Sequence, residues 1–420
     1  MKVVWLSNCA LTTSKTSSTG TWLQSMSHEL VKQGDIELCN ITFGNTTTVI
    51  QQDCGVIKQW IVPITKLKNG LPKQFVIDAI CNIVDSISPD LVHIWGVEYY
   101  WGLLSARGYI KYPILLEMQG LKYTCADVYY GGMSGREVLS SVRLLDLLFS
   151  YRRIDRQKLE HQNWGKHERE MLSFHKYIST QSDWIRSVIK PYCQKDATIF
   201  QTKMAVRKEF MESQSWQFND KENGIQLLTV SSMATPYKGV HFVLRAVALL
   251  KKTYPEITLK IVGDYMQNRP DIYKTGYVKY IERLIDELNI RDNVVFAGSL
   301  SAPELVCEMH NSSVVVLSSF VESYSLALAE SMAVGVPCVI SYAGAMCELA
   351  EDGVSGLFYS PSDFRKCASQ IERLIEDKTL AQSISANARK LALIRNKMES
   401  VVETQKHIYS EVVKSIYSCK

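Results

Sequence analysis

Two glutamates and a predicted helix start form the clearest candidate site in the chain. Glu322 and Glu330 enclose Ser-Tyr-Ser-Leu-Ala-Leu-Ala and follow the apolar run 314–317. The run predicts a buried strand, and a helix should begin near residues 323–325 and end at Gly335. Free N–H groups at such a turn suit an anionic diphosphate, and Glu330 inside the helix could accept hydrogen bonds from ribose hydroxyls.

A second strand-to-helix junction carries a cation. Lys238 lies in the sequence Tyr-Lys-Gly-Val, where a helix should begin after a strand. A cation is unfavourable at a helix N-terminus because the helix dipole is positive there. An anionic partner therefore explains Lys238 better than a solvated surface position does.

The elements that must position these residues alternate between short apolar runs and helical patterns, which is typical of α/β parallel sheets. Residues 120–175 interrupt this rhythm with helical patterns and a Gly131-Gly132 break, and an amphipathic helix is predicted over 397–416. Strands are predicted over 3–7, 36–43, 56–62, 91–95, 114–118 and 177–180, then over 225–231, 257–262, 293–297, 313–317 and 337–340.

Length, charge and cysteine use limit the class of protein. The chain has 420 residues, which suggests two or three domains, and its net charge of +4 is too small to imply nucleic acid. Its 11 cysteines are odd in number and form no CxxC pair, so we expect reduced thiols in the cytoplasm. No apolar run reaches the roughly 18 residues of a membrane span, and the apolar N-terminal run is too short for a signal peptide.

Several of these motifs resemble one enzyme family. The block 322–337, with Gly344 and the stretch 348–356, resembles the donor-site signature of family 4 retaining glycosyltransferases of the GT-B fold. The Lys238-Gly pair resembles the lysine–glycine element of that family. In the first half, the motifs at 19–22, 93–98 and 117–121 resemble a bacterial branch that builds capsular and other surface polysaccharides.

The resemblance implies two Rossmann-like domains that face each other across a cleft. We expect an acceptor-binding domain over 1–205, with a helix over 397–418 packing back on it, and a nucleotide-sugar-binding domain over 206–395. The implied reaction moves a hexose from a nucleoside-diphosphate sugar, expected to be a UDP sugar, to a hydroxyl. The implied acceptor is a surface glycan or a lipid-linked oligosaccharide, and no metal or other cofactor is expected.

The resemblance also implies residue roles. Catalytic roles fall on three side chains: Glu322 at the sugar hydroxyls, Lys238 at the diphosphate, and Gln119. Donor-binding roles fall on five positions: Glu330 at the ribose, Gly20 at the phosphates, the backbone of Ser325 and Leu326, and Arg207. Acceptor or cleft roles fall on His93 and Glu98. His93 could equally be a satisfied structural histidine, and Glu98 could be a helix-start acid favoured by the dipole.

Two departures from the family pattern bear on the site. The family usually has an arginine five or six residues before the lysine, where this chain has Met233 and Ser232. A second cation must come from elsewhere, and Arg207 is the candidate because it lies near the interdomain crossing. Many members have a histidine in place of Gln119, which can hydrogen-bond a sugar hydroxyl but cannot titrate.

A basic region in the first half suggests a surface function. Residues 107–208 contain 18 Lys and Arg against 10 Asp and Glu. Within them, 138–159 is apolar with several arginines and predicts an amphipathic helix. That helix could lie on the anionic inner face of the cell membrane. The alternative is a core-packing helix with a solvated basic face, and neither reading involves nucleic acid.

Three other functions compete with the transferase interpretation. An epimerase or hydrolase could use the same fold without an acceptor. A non-catalytic partner subunit could keep the donor fold as a scaffold, which the missing arginine and Gln119 favour. An NAD-dependent dehydrogenase would need GxGxxG after the first strand, and the chain has none.

Overall fold

The computed structural model describes residues 1–12, 21–142, 146, 149–218 and 224–417. The chain divides into two compact units. The first consists of Met1–Tyr123, Asn163–Ala205 and Asn396–Lys420, and the second of Thr124–Gln162 and Val206–Arg395.

The first unit is built on one sheet. Its strands are Lys2–Leu6 (β1), Glu37–Gly44 (β2), Ile50–Gln51 (β3), Lys58–Pro63 (β4), Leu91–Trp95 (β5), Ile114–Met118 (β6), Tyr177–Thr180 (β7) and Thr198–Gln201 (β8). They lie in the order β3-β4-β2-β1-β5-β6-β7-β8. The β3–β4 pair is antiparallel and the other pairs are parallel.

Helices cover both faces of this sheet. Val4 and Leu6 pack in one apolar cluster, and Val3 and Trp5 pack in another, because successive side chains of a strand point to opposite faces. Both faces are therefore buried, which explains the nearly continuous apolar strands. The helices are Thr21–Val31 (α1), Gln74–Ile87 (α2), Trp101–Ala106 (α3), Lys122–Asp127 (α4), Gly135–Ser140 (α5), Ile154–Phe174 (α6) and Asp183–Ile189 (α7). Of these, α5 lies in the second unit, and α4 and α6 run from one unit into the other.

The second unit has a six-stranded parallel sheet. Its strands are Gln226–Met233 (β9), Thr258–Asp264 (β10), Val294–Gly298 (β11), Val314–Leu317 (β12), Cys338–Ser341 (β13) and Leu357–Tyr359 (β14). They lie in the order β11-β10-β9-β12-β13-β14. The two parallel-sheet units confirm the expected α/β architecture, and the sequence pattern predicted every described strand except the short β3, β8 and β14.

The remaining helices belong to the second unit, apart from the last. They are Lys208–Met211 (α8), Val240–Leu250 (α9), Gly276–Glu287 (α10), Ala302–Asn311 (α11), Leu326–Val334 (α12), Met346–Leu349 (α13), Phe364–Glu376 (α14), Lys378–Arg395 (α15) and Met398–Tyr417 (α16). The last helix belongs to the first unit. Within the described ranges, no helix is long and apolar enough to cross a membrane.

The division assigns 124–162 to the second unit, whereas the sequence placed them in the N-terminal domain. Their contacts explain the difference. Glu137 of α5 accepts hydrogen bonds from Arg245 and from Tyr280, the latter at 2.7 Å. The Arg283 guanidinium donates to Ser140 Oγ at 2.7 Å. Side chains 108 to 143 residues away in sequence thus hold this segment, which no local pattern could show.

The prediction of one amphipathic helix over 138–159 is wrong. Helix α5 ends at Ser140, a 3-10 turn covers Ser150–Arg152, and α6 begins only at Ile154. Arg152 is buried, with its guanidinium 4.3 Å from the centre of the Phe149 ring, rather than on a basic surface. Arg143 lies outside the described residues.

Candidate functional site

The candidate site lies between β9 and β12, where the strand order of the second sheet reverses. The chain moves outward from β9 through β10 to β11, and from β12 through β13 to β14 on the other side. The loops after β9 and β12 therefore leave the carboxyl edge side by side. Open α/β sheets bind ligands at such a switch point, and these loops carry Lys238 and Glu322.

Lys238 and Glu322 form an ion pair, with Lys238 Nζ 2.6 Å from Glu322 Oε1. Ser319 Oγ donates a hydrogen bond to the same oxygen at 2.7 Å. Burial by itself would lower the pKa of the Lys238 ammonium, but the adjacent Glu322 carboxylate more than offsets it and the pKa is raised. Both side chains are about one fifth exposed, at 20% and 17%. The ammonium is thus charged, fixed in position and open to a ligand.

The loop after β12 holds the backbone around Lys238. Ser318 Oγ donates to the carbonyl oxygen of Lys238 at 2.8 Å, and the Phe320 N–H donates to that of Tyr237 at 2.8 Å. Gly239 has φ +72°, and a Cβ there would overlap the Ser318 carbonyl oxygen. Only glycine fits this close approach, which explains the Lys-Gly pair in the sequence.

A third loop holds the backbone of Glu322. The Ala345 N–H donates to the carbonyl oxygen of Glu322 at 2.9 Å. Gly344 has φ +54°, and a Cβ there would overlap the same oxygen. Gly344, the glycine of the sequence signature, therefore allows the close backbone contact that fixes the position of Glu322.

Helix α12 begins at the expected place. Ser325 is its N-cap, with φ +67°, and its Oγ accepts a hydrogen bond from the Leu328 N–H at 3.3 Å. The helix ends at Gly335, which has φ +88°. The first N–H groups of the helix, starting at Leu326, form a positive end that attracts anions.

Arg207 binds Glu330 through two hydrogen bonds. Its Nε lies 2.7 Å from Oε1 and its second guanidinium nitrogen 3.0 Å from Oε2. The carboxylate side chain is 8% exposed and the arginine 13%. Burial raises the pKa of Glu330, and the guanidinium offsets part of that rise. The predicted second cation therefore sits on the predicted ribose carboxylate rather than on the Lys238–Glu322 pair.

Glu98 and Gln119 meet at the carboxyl edge of the first sheet. Its switch point lies between β1 and β5, and Glu98 follows β5. Both side chains border Gly96, which has φ +95° and where a Cβ would overlap Glu98 Oε2. Burial raises the pKa of Glu98 to about 7. Its Oε2 is buried and has no hydrogen-bond partner in the described part of the chain.

His93 does not fit the acceptor or cleft role expected for it. Its side chain is fully buried, with Nδ1 2.7 Å from the Tyr409 hydroxyl and Nε2 3.7 Å from Glu117 Oε2. Burial lowers the pKa of the ring. The sequence around His93 could not show this burial, because its hydrogen-bond partner Tyr409 lies 316 residues away in α16. The other predicted residue of this unit, Gly20, lies outside the described residues.

Sequence reasoning missed two residues beside Glu98. Lys122 Nζ donates to the carbonyl oxygen of Glu98 at 2.6 Å. Glu168 accepts hydrogen bonds from the N–H groups of Lys122 and Tyr123 at 2.7 and 3.0 Å, and burial raises its pKa to about 7. Lys122 follows the Gln119 motif closely and could have been included, whereas nothing in the sequence around Glu168 distinguishes it.

Part of the chain matches a known family. Residues 210–391 match the family model described as "Glycosyl transferases group 1". The chain is similar to the MMP alpha-(1->4)-mannosyltransferase of Mycolicibacterium hassiacum, at 28% identity over 205 residues, which cover 48% of this chain and 47% of that protein. It is also similar to the N-acetyl-alpha-D-glucosaminyl L-malate synthase of Bacillus anthracis, at 30% identity over 134 residues, covering 32% and 35%. The chain thus spans about half or less of these curated relatives.

Solved structures resemble the chain over nearly its whole length. Sucrose-phosphate synthase from Thermosynechococcus elongatus gives a TM-score of 0.72 at 16% identity and covers 99% of both chains. Anabaena HepE in complex with UDP and glucose gives 0.65 at 16% identity, covering 98% of this chain and 100% of that one. At such identities the likeness establishes the fold, which is GT-B. The family match is confined to residues 210–391, which lie within the second unit.

Proposed function

We propose that the protein is a retaining glycosyltransferase that uses a nucleoside-diphosphate sugar, most simply a UDP sugar. It transfers a hexose to a hydroxyl of a surface-glycan or lipid-linked oligosaccharide acceptor. HepE, which has the same fold, was solved with UDP and glucose, which supports this choice of donor. The acceptor class rests on the sequence motifs of the first half.

The observation that carries the proposal is the grouping at the switch point of the second sheet. Lys238, paired with Glu322, and the N-terminus of α12 supply positive charge beside the buried Glu330. A nucleoside diphosphate needs this combination, because its phosphates require cations or N–H donors and its ribose hydroxyls require an acceptor.

The same groups account for the chemistry. When the glycosidic bond to the diphosphate breaks, negative charge develops on the leaving phosphate. Lys238 and the α12 N–H groups are already fixed beside it, so they stabilise that charge without reorganising. The reaction in this proposal needs no metal for that purpose. The acceptor attacks from the face that the diphosphate leaves, and the departing phosphate takes its proton, which retains the configuration.

Glu322 has two roles in this proposal. Its Oε1 holds the Lys238 ammonium and the Ser319 hydroxyl. Its other oxygen is then available to the hydroxyls of the transferred sugar. On the first unit, Glu98 and Gln119 supply polar groups for the acceptor at the edge where β5 and β6 end.

The test is thermal stabilisation of the purified protein by UDP, GDP, ADP and their sugars. A ligand that binds only the folded state raises its apparent stability. We expect one base to produce a shift that Lys238→Met and Glu330→Gln reduce. Lys252→Met and Glu287→Gln, at exposed positions, are the matched controls and should keep the shift.

Turnover then separates the rival functions. Release of the nucleoside diphosphate only when an acceptor is added supports the transferase. Release without acceptor would indicate a hydrolase, and a converted sugar that stays on its nucleotide would indicate an epimerase. Binding without any turnover would favour a non-catalytic partner subunit, and no binding at all would overturn the proposal.

A further inference from the structure

The segment 124–162 contacts the turn that carries Lys238. That turn, Thr235–Gly239, is closed by two backbone hydrogen bonds, from the Lys238 N–H to Thr235 and from the Gly239 N–H to Pro236. Gly131 lies directly against it. A Cβ at Gly131 would overlap the Pro236 carbonyl oxygen and stand 3.1 Å from the Tyr237 nitrogen. With φ +53°, Gly131 also has a backbone conformation that disfavours any side chain.

Two aromatic side chains extend this contact. The rings of Tyr129 and Tyr237 meet edge to face, with centroids 5.6 Å apart. The Tyr129 hydroxyl donates to Gln157 Oε1 at 2.9 Å, which ties it to α6. Tyr129 and Tyr237 are both buried. The residue before Lys238 is thus packed against the segment, beside the close approach of Gly131 to the Pro236 carbonyl.

His241 locks Gly131 in place. Its Nε2 lies 2.8 Å from the Gly131 carbonyl oxygen and its Nδ1 2.9 Å from the Tyr277 hydroxyl. Burial lowers the pKa of the ring to about 4, so the ring is neutral near pH 7. A neutral ring that accepts from the tyrosine at Nδ1 must carry its proton on Nε2 and donate it to Gly131.

The turn is therefore held on two sides. Ser318 and Phe320 hold one side through hydrogen bonds to Lys238 and Tyr237, and Gly131 closes the other. A lysine side chain has four rotatable bonds, so the position of its ammonium depends on a fixed backbone. Removing one side would leave Lys238 charged but free to move away from a bound phosphate.

We propose that Gly131 and His241 are positioning residues for Lys238: they hold the Thr235–Gly239 turn so that the ammonium meets the diphosphate. This rests on the proposed function, which assigns Lys238 to that group. The proposal gives the segment 124–162 a role in donor binding, in addition to any role in stability. According to this proposal, Gly131 and His241 affect recognition of the phosphates and not of the base.

The first test replaces Gly131 by alanine. Gly131→Ala adds a methyl group where the Pro236 carbonyl lies, whereas the control Gly224→Ala has a similar φ of +80° and nothing within 4 Å. Dissociation constants are measured for UDP, GDP and ADP and for the matching nucleosides. Losing a charge-assisted hydrogen bond should weaken diphosphate binding by about tenfold to a hundredfold. Nucleoside binding should be unchanged, and the control should behave as the wild type.

The second test is rescue at His241. His241→Gln keeps an N–H donor that can reach Gly131, and His241→Leu removes it. We expect the leucine variant to lose diphosphate affinity and the glutamine variant to regain most of it. Equal loss of diphosphate and nucleoside binding in Gly131→Ala, or equal behaviour of the two His241 variants, would overturn the proposal.

Hydrogen exchange separates this proposal from the proposed function, because it needs no ligand. The amides of Lys238 and Gly239 should exchange faster in Gly131→Ala and His241→Leu than in the wild type and Gly224→Ala. If these amides exchange faster in the variants but the protein binds no nucleotide, Gly131 and His241 do hold the turn, and the donor site is refuted. Unchanged exchange would overturn the positioning role whatever the protein binds.

Discussion

The two signature carboxylates of the second unit, Glu322 and Glu330, each form an ion pair with a basic side chain of the same unit. Lys238 binds Glu322, and Arg207 binds Glu330. The second pair is the more buried, and there the charged form of the carboxylate depends on the guanidinium. Breaking a buried pair by removing one partner costs about 3 to 5 kcal/mol, because the remaining charge has lost its compensation. A buried carboxylate can avoid that cost by taking up a proton.

This dependence leads to a prediction for Arg207→Gln. Without the guanidinium, burial acts on Glu330 unopposed and its pKa rises further. Glu330 should then take up a proton at a higher pH than in the wild type, and a neutral carboxyl is a weaker acceptor for ribose hydroxyls than a carboxylate. Relative to the wild type, UDP affinity should fall by about tenfold as the pH is lowered.

The measurement is the UDP dissociation constant at pH 6, 7 and 8. Arg291→Gln, which removes an exposed arginine paired with Asp286, is the control and should follow the wild type. A pH-independent ratio between Arg207→Gln and the wild type would show that the guanidinium does not keep Glu330 ionised.

Glu98 yields a prediction about stability. Its pKa is raised by burial from 4.5 to about 7 in the folded chain, so the folded state holds the proton more tightly than the unfolded one. The resulting stability is fully present below pH 4.5 and is lost as the pH rises through 7. Glu98→Gln imitates the neutral form at every pH. It should be close to neutral at pH 5 and stabilise by about 2 to 3 kcal/mol at pH 8.

Urea unfolding at the two pH values measures this difference. Glu37→Gln, at an exposed position of the same unit, should change little at either pH. Destabilisation by Glu98→Gln at pH 8 would mean that the ionised carboxylate is satisfied in the folded chain. A stabilising change that also weakens acceptor use would support the role proposed for Glu98.

At the level of elements, glycines let three loops approach one another closely. Gly239 lies against the loop after β12, Gly344 against Glu322, and Gly131 against the turn of Lys238. Each has a positive φ and a neighbouring carbonyl oxygen where a Cβ would stand. The strands fix where the loops leave the sheet, but these contacts fix how closely the charged side chains meet.

The prediction at this scale concerns Gly344→Ala. The left-handed conformation costs a non-glycine residue about 1 to 2 kcal/mol, and the overlap with the Glu322 carbonyl adds to that cost. Relief of the overlap must displace Glu322, so the variant should lose both stability and donor binding. Thermal unfolding with and without UDP measures both, and Gly224→Ala isolates the cost of the backbone conformation. Equal effects in the two variants would show that Glu322 does not depend on this contact.

Elements whose signals are local could be predicted from the sequence. The buried strand β12, the N-cap Ser325 and the terminal Gly335 of α12 were placed to within one or two residues, because strand pattern, cap and stop all lie within one stretch of 22 residues. The contacts of residues 124–162 could not be predicted, because their partners, such as Arg245 and Tyr280, are far away in sequence. Arg207 was expected near the diphosphate for the same reason.

For the whole molecule, the last helix completes the first unit. The chain leaves that unit at Ala205 and returns to it at Asn396, after the whole of the second sheet. Helix α16 then packs Tyr409 into the same apolar cluster as Trp5. Contacts of such sequence separation close very long loops and slow folding. The second face of strand β1, which α1 also helps to cover, is therefore completed only by a residue 404 positions later in the chain.

Tyr409 carries the polar part of that closure, and Tyr409→Phe tests it. The hydroxyl accepts a hydrogen bond from Trp5 Nε1 at 2.9 Å and donates to His93 Nδ1 at 2.7 Å. The burial that lowers the pKa of His93 keeps the ring neutral and able to accept. Phenylalanine would leave two buried polar groups without a partner, at about 1 to 3 kcal/mol each.

The expected result is a loss of about 2 to 5 kcal/mol in urea unfolding, with faster amide exchange in β1 and β5. Because both strands belong to the first unit, exchange in β12 and β13 of the second unit should not change. Tyr109→Phe, at a more exposed position of the first unit, controls for the loss of a hydroxyl. A similar effect of the two variants would mean that α16 is held by its apolar contacts alone, and that the buried histidine of β5 has no part in closing the unit.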